Sequence, residues 1–119
     1  MRAHPILFVT SLAVVAFARP AAADNYGAIA YSPSTGANGY SYDYGSQDAA
    51  ESSAMSRCKA MDCKIVIWFR DACGAVAAGS DGYGSSWAST RGNAEQGAIN
   101  ECSKFTTGCA TAAWACSSR

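Results

Sequence analysis

The sequence has almost no histidine, the side chain on which much hydrolytic and metal chemistry depends. Its one histidine is His4, in an N-terminal segment that we expect to be removed. A mature chain without histidine excludes Ser-His-Asp and Cys-His catalytic arrangements and general acid–base catalysis by imidazole. The six cysteines contain no C-x2-C pair, and a mixed zinc site has no histidine to complete it. The sequence therefore predicts neither a metal nor another cofactor.

The chain also has no excess of charge of either sign. Nine basic and nine acidic side chains cancel over the 119 residues. Removal of the N-terminal segment takes away two of the basic residues, Arg2 and Arg19, and leaves a net charge of −2. A strongly basic surface is typical of proteins that bind nucleic acid or anionic lipid. We therefore expect neither nucleic acid nor a lipid surface as a partner.

The longest apolar run is too short to cross a membrane. Residues 6–18 form this run, whereas a transmembrane helix needs about 20 residues. The run follows Arg2 and precedes Ala21-Ala22-Ala23, an order typical of a secretory signal peptide. We expect cleavage after Ala23, and no lipoprotein anchor because no cysteine lies near that point. The mature chain, residues 24–119, is then a secreted or periplasmic domain that does not insert into the membrane.

An even set of cysteines in a small exported chain is typical of a disulfide framework. An internal repeat accompanies it and divides the mature chain into residues 26–72 and 73–119. The matching segments are Gly27-Ala28-Ile29-Ala30 with Gly74-Ala75-Val76-Ala77, Ser46 to Cys58 with Thr90 to Cys102, and Cys63 and Trp68 with Cys109 and Trp114.

The repeat predicts which cysteines form disulfides. In each half one cysteine ends the predicted helix and the next begins the following strand. Bonds are therefore expected between Cys58 and Cys63 and between Cys102 and Cys109. The remaining pair, Cys73 and Cys116, is expected to tie the two halves together. Because it closes the longest loop, this third bond should stabilise the fold most, by about 3–4 kcal/mol.

Each half has the pattern strand, turn, strand, helix, strand. Strands are predicted over 26–32, 39–44, 64–69, 74–78, 85–89 and 110–115. Helices are predicted over 47–59 and 91–104, with Ser46 and Thr90 as their N-caps. The continuous apolar run 65–69 favours a strand covered on both faces. The fold class is therefore α+β: a small disulfide-stapled domain with a mainly antiparallel sheet and two helices.

Three segments together resemble a bacterial family, "domain of unknown function 4189". They are residues 26–36 (YGAIAYSPSTG), 63–69 (CKIVIWF) and 73–77 (CGAVA), and the similarity extends in order over essentially the whole mature chain. The resemblance implies a small exported bacterial protein, with mycobacterial relatives and a duplicated strand–helix domain. The family has no established catalytic residues, so the resemblance assigns none here.

Aromatic side chains are concentrated in the first two strands of each half and in their turns. Surface Tyr and Trp often anchor protein partners, and flat rings also stack on sugars. The candidate binding residues are Tyr31, Tyr40, Tyr42, Tyr44, Tyr83 and Trp87. Strand alternation puts Tyr40, Tyr42 and Tyr44 on one face of their strand. The alternative is that these rings pack against the sheet. Trp68 and Trp114, in the third strands, are expected in the core.

Three functions fit this pattern. We favour a non-enzymatic exported module that binds another protein, as an inhibitor, an immunity protein or a host-directed factor. The alternative is a cell-wall or glycan-binding module that uses the Tyr-rich strands. A hydrolase dependent on two carboxylates is less favoured, because Glu51 and Glu95 would have to face one cleft. Both also fit a simpler role as acids in the first part of a helix, and no catalytic residue is assigned.

Overall fold

The structure is a computed structural model that describes residues 24–118 and residue 3. Apart from residue 3, the predicted signal peptide with its cleavage site after Ala23 lies outside the described residues. The elements in chain order are β1 (Tyr26–Tyr31), β2 (Asn38–Tyr44), α1 (Gln47–Arg57), β3 (Lys64–Arg70), β4 (Cys73–Ala78), β5 (Tyr83–Ala88), α2 (Arg91–Cys102) and β6 (Ala110–Cys116). In the described part of the chain, no helix is long and apolar enough to span a membrane.

The strands form two antiparallel sheets of three. The strand order is β2-β1-β3 in the first sheet and β5-β4-β6 in the second. The first strand of each half is thus the middle strand of its sheet, and the other two are edge strands. The α+β class, the antiparallel pairing and the two helices are as the sequence predicts, and the six strands divide into two sheets.

The two sheets pack face to face, and one helix covers the outer face of each. Successive residues of a strand point to opposite sides, so Ile29 and Tyr31 of β1 lie between the sheets with Val76 of β4. Ala28 and Ala30 point the other way and pack against α1. Ala75 and Ala77 of β4 pack against α2 in the same manner. The result is four layers in the order helix, sheet, sheet, helix.

Small residues allow each helix to lie close to its sheet. The faces of the helices that meet the sheets are alanines, Ala50 and Ala54 in α1 and Ala94 and Ala98 in α2, and all four are fully buried. A Cβ atom at Gly39 in β2 would meet the backbone of α1 near Ala54. Gly84 in β5 lies just as close to the backbone of α2. The helix–sheet contact therefore depends on close backbone approach rather than on large apolar side chains.

The helix N-caps are the residues that the sequence predicts. The Ser46 side chain accepts a hydrogen bond from the Ala49 N–H (3.2 Å), and that of Thr90 accepts one from the Asn93 N–H (3.2 Å). These bonds satisfy one free N–H group of each first turn. Both helices end two residues before the predicted end.

The disulfides join the predicted pairs, Cys58–Cys63, Cys102–Cys109 and Cys73–Cys116. The first two link the end of a helix to the strand that follows. The expectation that the third bond ties the two halves together is wrong. Cys73 begins β4 and Cys116 ends β6, and the two are register partners on adjacent strands of the second sheet. This bond therefore closes the second half on itself.

Candidate functional site

The predicted binding aromatics divide into three exposed and three covered side chains. Tyr40, Tyr42 and Trp87 are 43%, 51% and 61% exposed, respectively. Tyr44 and Tyr83 are half-buried, and Tyr31 is buried. The prediction that Tyr31 is a surface binding residue is therefore wrong. Its ring points between the two sheets and packs 5.3 Å from the Tyr83 ring, measured between centroids.

Tyr44 does not share a face with Tyr40 and Tyr42, which corrects the predicted alternation. Asp43 has a positive φ of 59°, and the register of β2 against β1 is irregular at this point. An extra residue in a strand turns the following side chains to the other face. The Tyr44 hydroxyl consequently lies on the helix side, 2.8 Å from the Ser53 hydroxyl of α1.

Trp68 and Trp114 are not core residues, which corrects a second expectation. They are 45% and 38% exposed. Both lie on the face that carries a helix, but each sits on an edge strand that the helix covers only in part. Trp68 packs beside Tyr26, with 6.2 Å between ring centroids, and the Arg91 guanidinium lies 3.7 Å above the Trp114 ring. The apolar run of β3 is likewise covered incompletely, because β3 is an edge strand.

A concave surface lies along the edge formed by β3 and β5, and we call it the Trp68–Trp87 groove. Its volume is about 820 Å³. It contains side chains from both sheets and from helix α1. The lining residues are Gln47, Glu51, Ile65, Val66, Ile67, Trp68, Phe69, Arg70 and Trp87. Two tryptophans thus line a surface together with three aliphatic side chains of β3.

The opposite edge, formed by β2 and β6, carries a smaller counterpart, the Tyr42–Trp114 groove. Its volume is about 480 Å³, and it is lined by Asn38, Tyr40, Tyr42 and residues 112–116. The two grooves occupy equivalent places in the two halves, because Trp114 lies opposite Ala75 as Trp68 lies opposite Ala28. They differ in their strand side chains, which are large on β3 and small on β6.

The charged groups of the Trp68–Trp87 groove are one acid and one base. Glu51 accepts a hydrogen bond from the Gln47 amide (3.1 Å). The Arg70 guanidinium lies 3.7 Å from the Asp24 carboxylate, and both side chains are about half exposed. The Tyr26 side chain and then Asp24 hold the pKa of Arg70 above its ordinary value. An exposed pair of this kind is weak, so the guanidinium remains available to a partner.

The two helix carboxylates considered for hydrolysis do not face one cleft. Glu51 belongs to α1 and Glu95 to α2, and these helices cover opposite outer faces of the molecule. Glu95 is bound by Arg91 of its own helix at 2.6 Å. Over residues 24–118, no three His, Cys, Asp or Glu side chains are grouped so that they could hold a metal ion.

One carboxylate outside the grooves is held by a turn. The Ser32 hydroxyl donates to Asp62, and the Ser34 N–H donates to its second oxygen at 3.1 Å. These hydrogen bonds, from Ser32 first and then from Ser34, lower the pKa of Asp62 below its ordinary value. Asp62 thereby connects the loop before β3 to the β1–β2 turn, which is a structural role.

Comparison with known proteins gives a family and several relatives. The family model "Domain of unknown function (DUF4189)" matches residues 26–116. Protein Rv1269c of Mycobacterium tuberculosis is 52% identical over 62 residues, which are 52% of this chain and 48% of that protein. The uncharacterized protein Rv1813c of the same organism is 41% identical over 76 residues, 64% of this chain and 52% of that protein. This chain thus spans about half the length of these curated relatives.

A solved structure has the same fold. The NMR structure of Rv1813c from Mycobacterium tuberculosis matches with a TM-score of 0.59 at 35% sequence identity. The match covers 84% of this chain and 80% of that one.

Proposed function

The chain belongs to the DUF4189 family, and we propose a function for it. It is an exported, non-enzymatic module that binds another protein through the Trp68–Trp87 groove. The family description names no ligand and no reaction. The proposal therefore depends on the side chains that this chain places at its surface.

The observation that carries the proposal is the exposure of two tryptophans beside one aliphatic strand. Trp87 is 61% and Trp68 45% exposed, although each could bury a large apolar area. Tryptophan and arginine are the residues that most often dominate the binding energy of protein interfaces. The groove supplies both, since Arg70 also lines it.

Export is part of the proposal and rests on the cysteines. All six cysteines are paired, and the described residues include no free thiol. Disulfides of this kind persist in oxidising compartments such as the periplasm and the extracellular medium. A partner would then be a protein of the envelope, of the medium or of another cell.

A second candidate, glycan binding, is supported by the polar side chains next to the tryptophans. Gln47 and Glu51 of α1 line the same groove and could hydrogen bond to sugar hydroxyls. The aliphatic side chains of Ile65, Val66 and Ile67, which also line the groove, favour a protein over a sugar, because burial of such side chains drives protein association.

The test is capture with matched variants. The exported protein, purified with its disulfides intact, is immobilised and offered envelope and secreted proteins in one arm and purified cell wall in another. We expect one dominant protein to be retained by the wild type and by Trp114→Ala, but not by Trp68→Ala/Trp87→Ala. Circular dichroism should show that all three proteins are equally folded.

The alternative outcomes are distinct. Retention of cell wall alone, lost in Trp68→Ala/Trp87→Ala, would replace protein binding by glycan binding. Equal retention of the same protein by the double variant and the wild type would refute the groove as the binding site.

A further inference from the structure

The edge strand β3 has backbone groups that no neighbouring strand occupies. It is the last strand in the order β2-β1-β3, so one of its sides faces away from β1. Besides its pairing with β1, the backbone of β3 accepts one hydrogen bond within the described residues, from the Ser85 hydroxyl to the Val66 carbonyl (2.8 Å). Unpaired N–H and C=O groups of an edge strand can accept a further strand.

The free part of this edge is residues 67–70. The register of β3 against β1 shifts between Ile65 and Ile67, so Val66 forms a bulge. A bulge interrupts pairing, and the Val66 carbonyl is already taken by Ser85. Beyond the bulge the strand is regular, and it carries Trp68 and Arg70 at the exposed surface.

The second half of the molecule shows that the fold does not require large side chains at this edge. β6 is the equivalent strand and has the same register shift, between Thr111 and Ala113. Where β3 has Ile65, Val66 and Ile67, β6 has threonine and two alanines. The extra apolar surface of β3 is therefore specific to the Trp68–Trp87 groove.

Charge argues against a second copy of the chain as the occupant. Residues 64–70 of a second copy include no carboxylate, so a second β3 strand would bring no acid to Arg70. Arg70, at the end of the free segment, instead favours a strand that carries an acidic residue.

From this arrangement we infer that β3 binds an extended segment of another protein as a fourth strand, β-branched or aromatic at its centre and acidic at the end that meets Arg70. The inference rests on the proposed function and names its partner's chemistry. The backbone of the segment pairs with residues 67–70, its apolar side chains pack on Trp68 and Trp87, and its carboxylate replaces Asp24 at the guanidinium.

The experiment selects peptides and then maps them. A displayed library of random linear peptides is panned against the oxidised wild-type protein. We expect enrichment of peptides with β-branched or aromatic residues and an acidic end, whose binding shifts the backbone amide signals of residues 67–70 and not those of β6. Methylation of the alternate peptide nitrogens whose N–H groups face β3 should abolish binding, because it removes the donors that pair with the β3 backbone.

Exchange of the charges of Arg70 and of the peptide's acidic residue tests whether the acidic end of the peptide meets Arg70. Arg70→Glu should weaken the selected peptides about tenfold, and replacing the peptide's acid by lysine should restore binding to that variant. Trp114→Ala, the matched change at the other edge, should alter affinity by less than about twofold.

Three results would overturn the inference: no enrichment, selected peptides that tolerate methylation of every nitrogen, or shifts confined to residues outside β3 and β5. If any of these occurs while capture still depends on Trp68 and Trp87, the module binds proteins but not by strand addition. If capture also fails to depend on them, the proposed function fails as well.

Discussion

At the scale of single residues, Phe69 packs directly against two glycines, Gly27 and Gly74. The ring is 1% exposed and lies between the sheets. A Cβ atom at Gly27 of β1 or at Gly74 of β4 would overlap it. Gly27 and Gly74 are the first residues of the two segments that recur in the sequence. Glycine recurs at these positions because the Phe69 ring of β3 occupies the space that a side chain would need.

This contact predicts the effect of adding one methyl group. Gly74→Ala should lower the free energy of unfolding by about 1–3 kcal/mol, because a buried ring cannot move aside without strain. Gly92→Ala is the matched control, since nothing lies within 4 Å of a Cβ atom there. Gly92 is helical, so its replacement should stabilise by up to about 1 kcal/mol. Urea unfolding of both variants checks the prediction, and equal stabilities would contradict it.

The hydrogen bonds to Asp62 predict that the stability of the fold depends on pH. The pKa of the Asp62 carboxyl is lowered in the folded state from the ordinary 3.8. Near that pH the unfolded chain therefore binds more protons than the folded one, and stability rises with pH. The stabilising contribution is present above the ordinary pKa and is lost as the pH falls through the lowered value.

The comparison variant is Asp62→Asn, which cannot titrate. Between about pH 5 and pH 2, wild-type stability should fall more steeply than that of Asp62→Asn, as measured by urea unfolding at each pH. Parallel pH profiles for the two proteins would show that Asp62 contributes nothing in this range.

At the scale of elements, the helices and strands could be predicted but their exposure could not. Ser46 and Thr90 have the chemistry of N-caps, and β-branched or alternating runs indicate strands, so local signals were sufficient. Whether a strand lies at an edge depends on pairing with distant segments, which the sequence does not display. The sequence therefore predicts the strand that contains Trp68 correctly, but it wrongly predicts Trp68 in the core.

Two other predictions, those for Tyr44 and Tyr31, are wrong because local sequence patterns do not show bulges or the packing of distant strands. The bulge at Asp43 is a single backbone conformation that reverses the side of Tyr44, and a regular alternation cannot foresee it. The aromatic pattern predicts Tyr31 as a surface binding residue, because the sequence does not display which strand faces are covered by distant segments. The second sheet covers its face and buries it.

The disulfides give a prediction at this scale. Loop closure predicts that Cys73→Ser/Cys116→Ser loses about 3–4 kcal/mol, because the bond closes a loop with a sequence separation of 43. Cys58→Ser/Cys63→Ser, with a separation of 5, should lose about 2 kcal/mol. Urea unfolding of the two double variants compares them directly. A larger loss for the short loop would mean that contacts of the folded state outweigh loop closure.

At the scale of the whole molecule, two halves of one architecture carry two different edges. Both have the order strand, strand, helix, strand and the same bulge in the third strand. That the halves arose by duplication stays a prediction. One edge has aliphatic side chains beside Trp68 and Trp87, whereas the other has alanines beside Trp114. The second edge therefore serves as a control for the first within one protein.

The most direct test of the account uses the three tryptophans, Trp68, Trp87 and Trp114, which are all that the sequence contains. Each gives one indole N–H signal in a proton–nitrogen correlation spectrum, and these signals can be followed while the protein captured by the wild type is added. We predict that the signals of Trp68 and Trp87 shift or broaden together while that of Trp114 stays in place. A shift of Trp114 alone, or three unmoved signals at saturating partner, would contradict the assignment of binding to the Trp68–Trp87 groove.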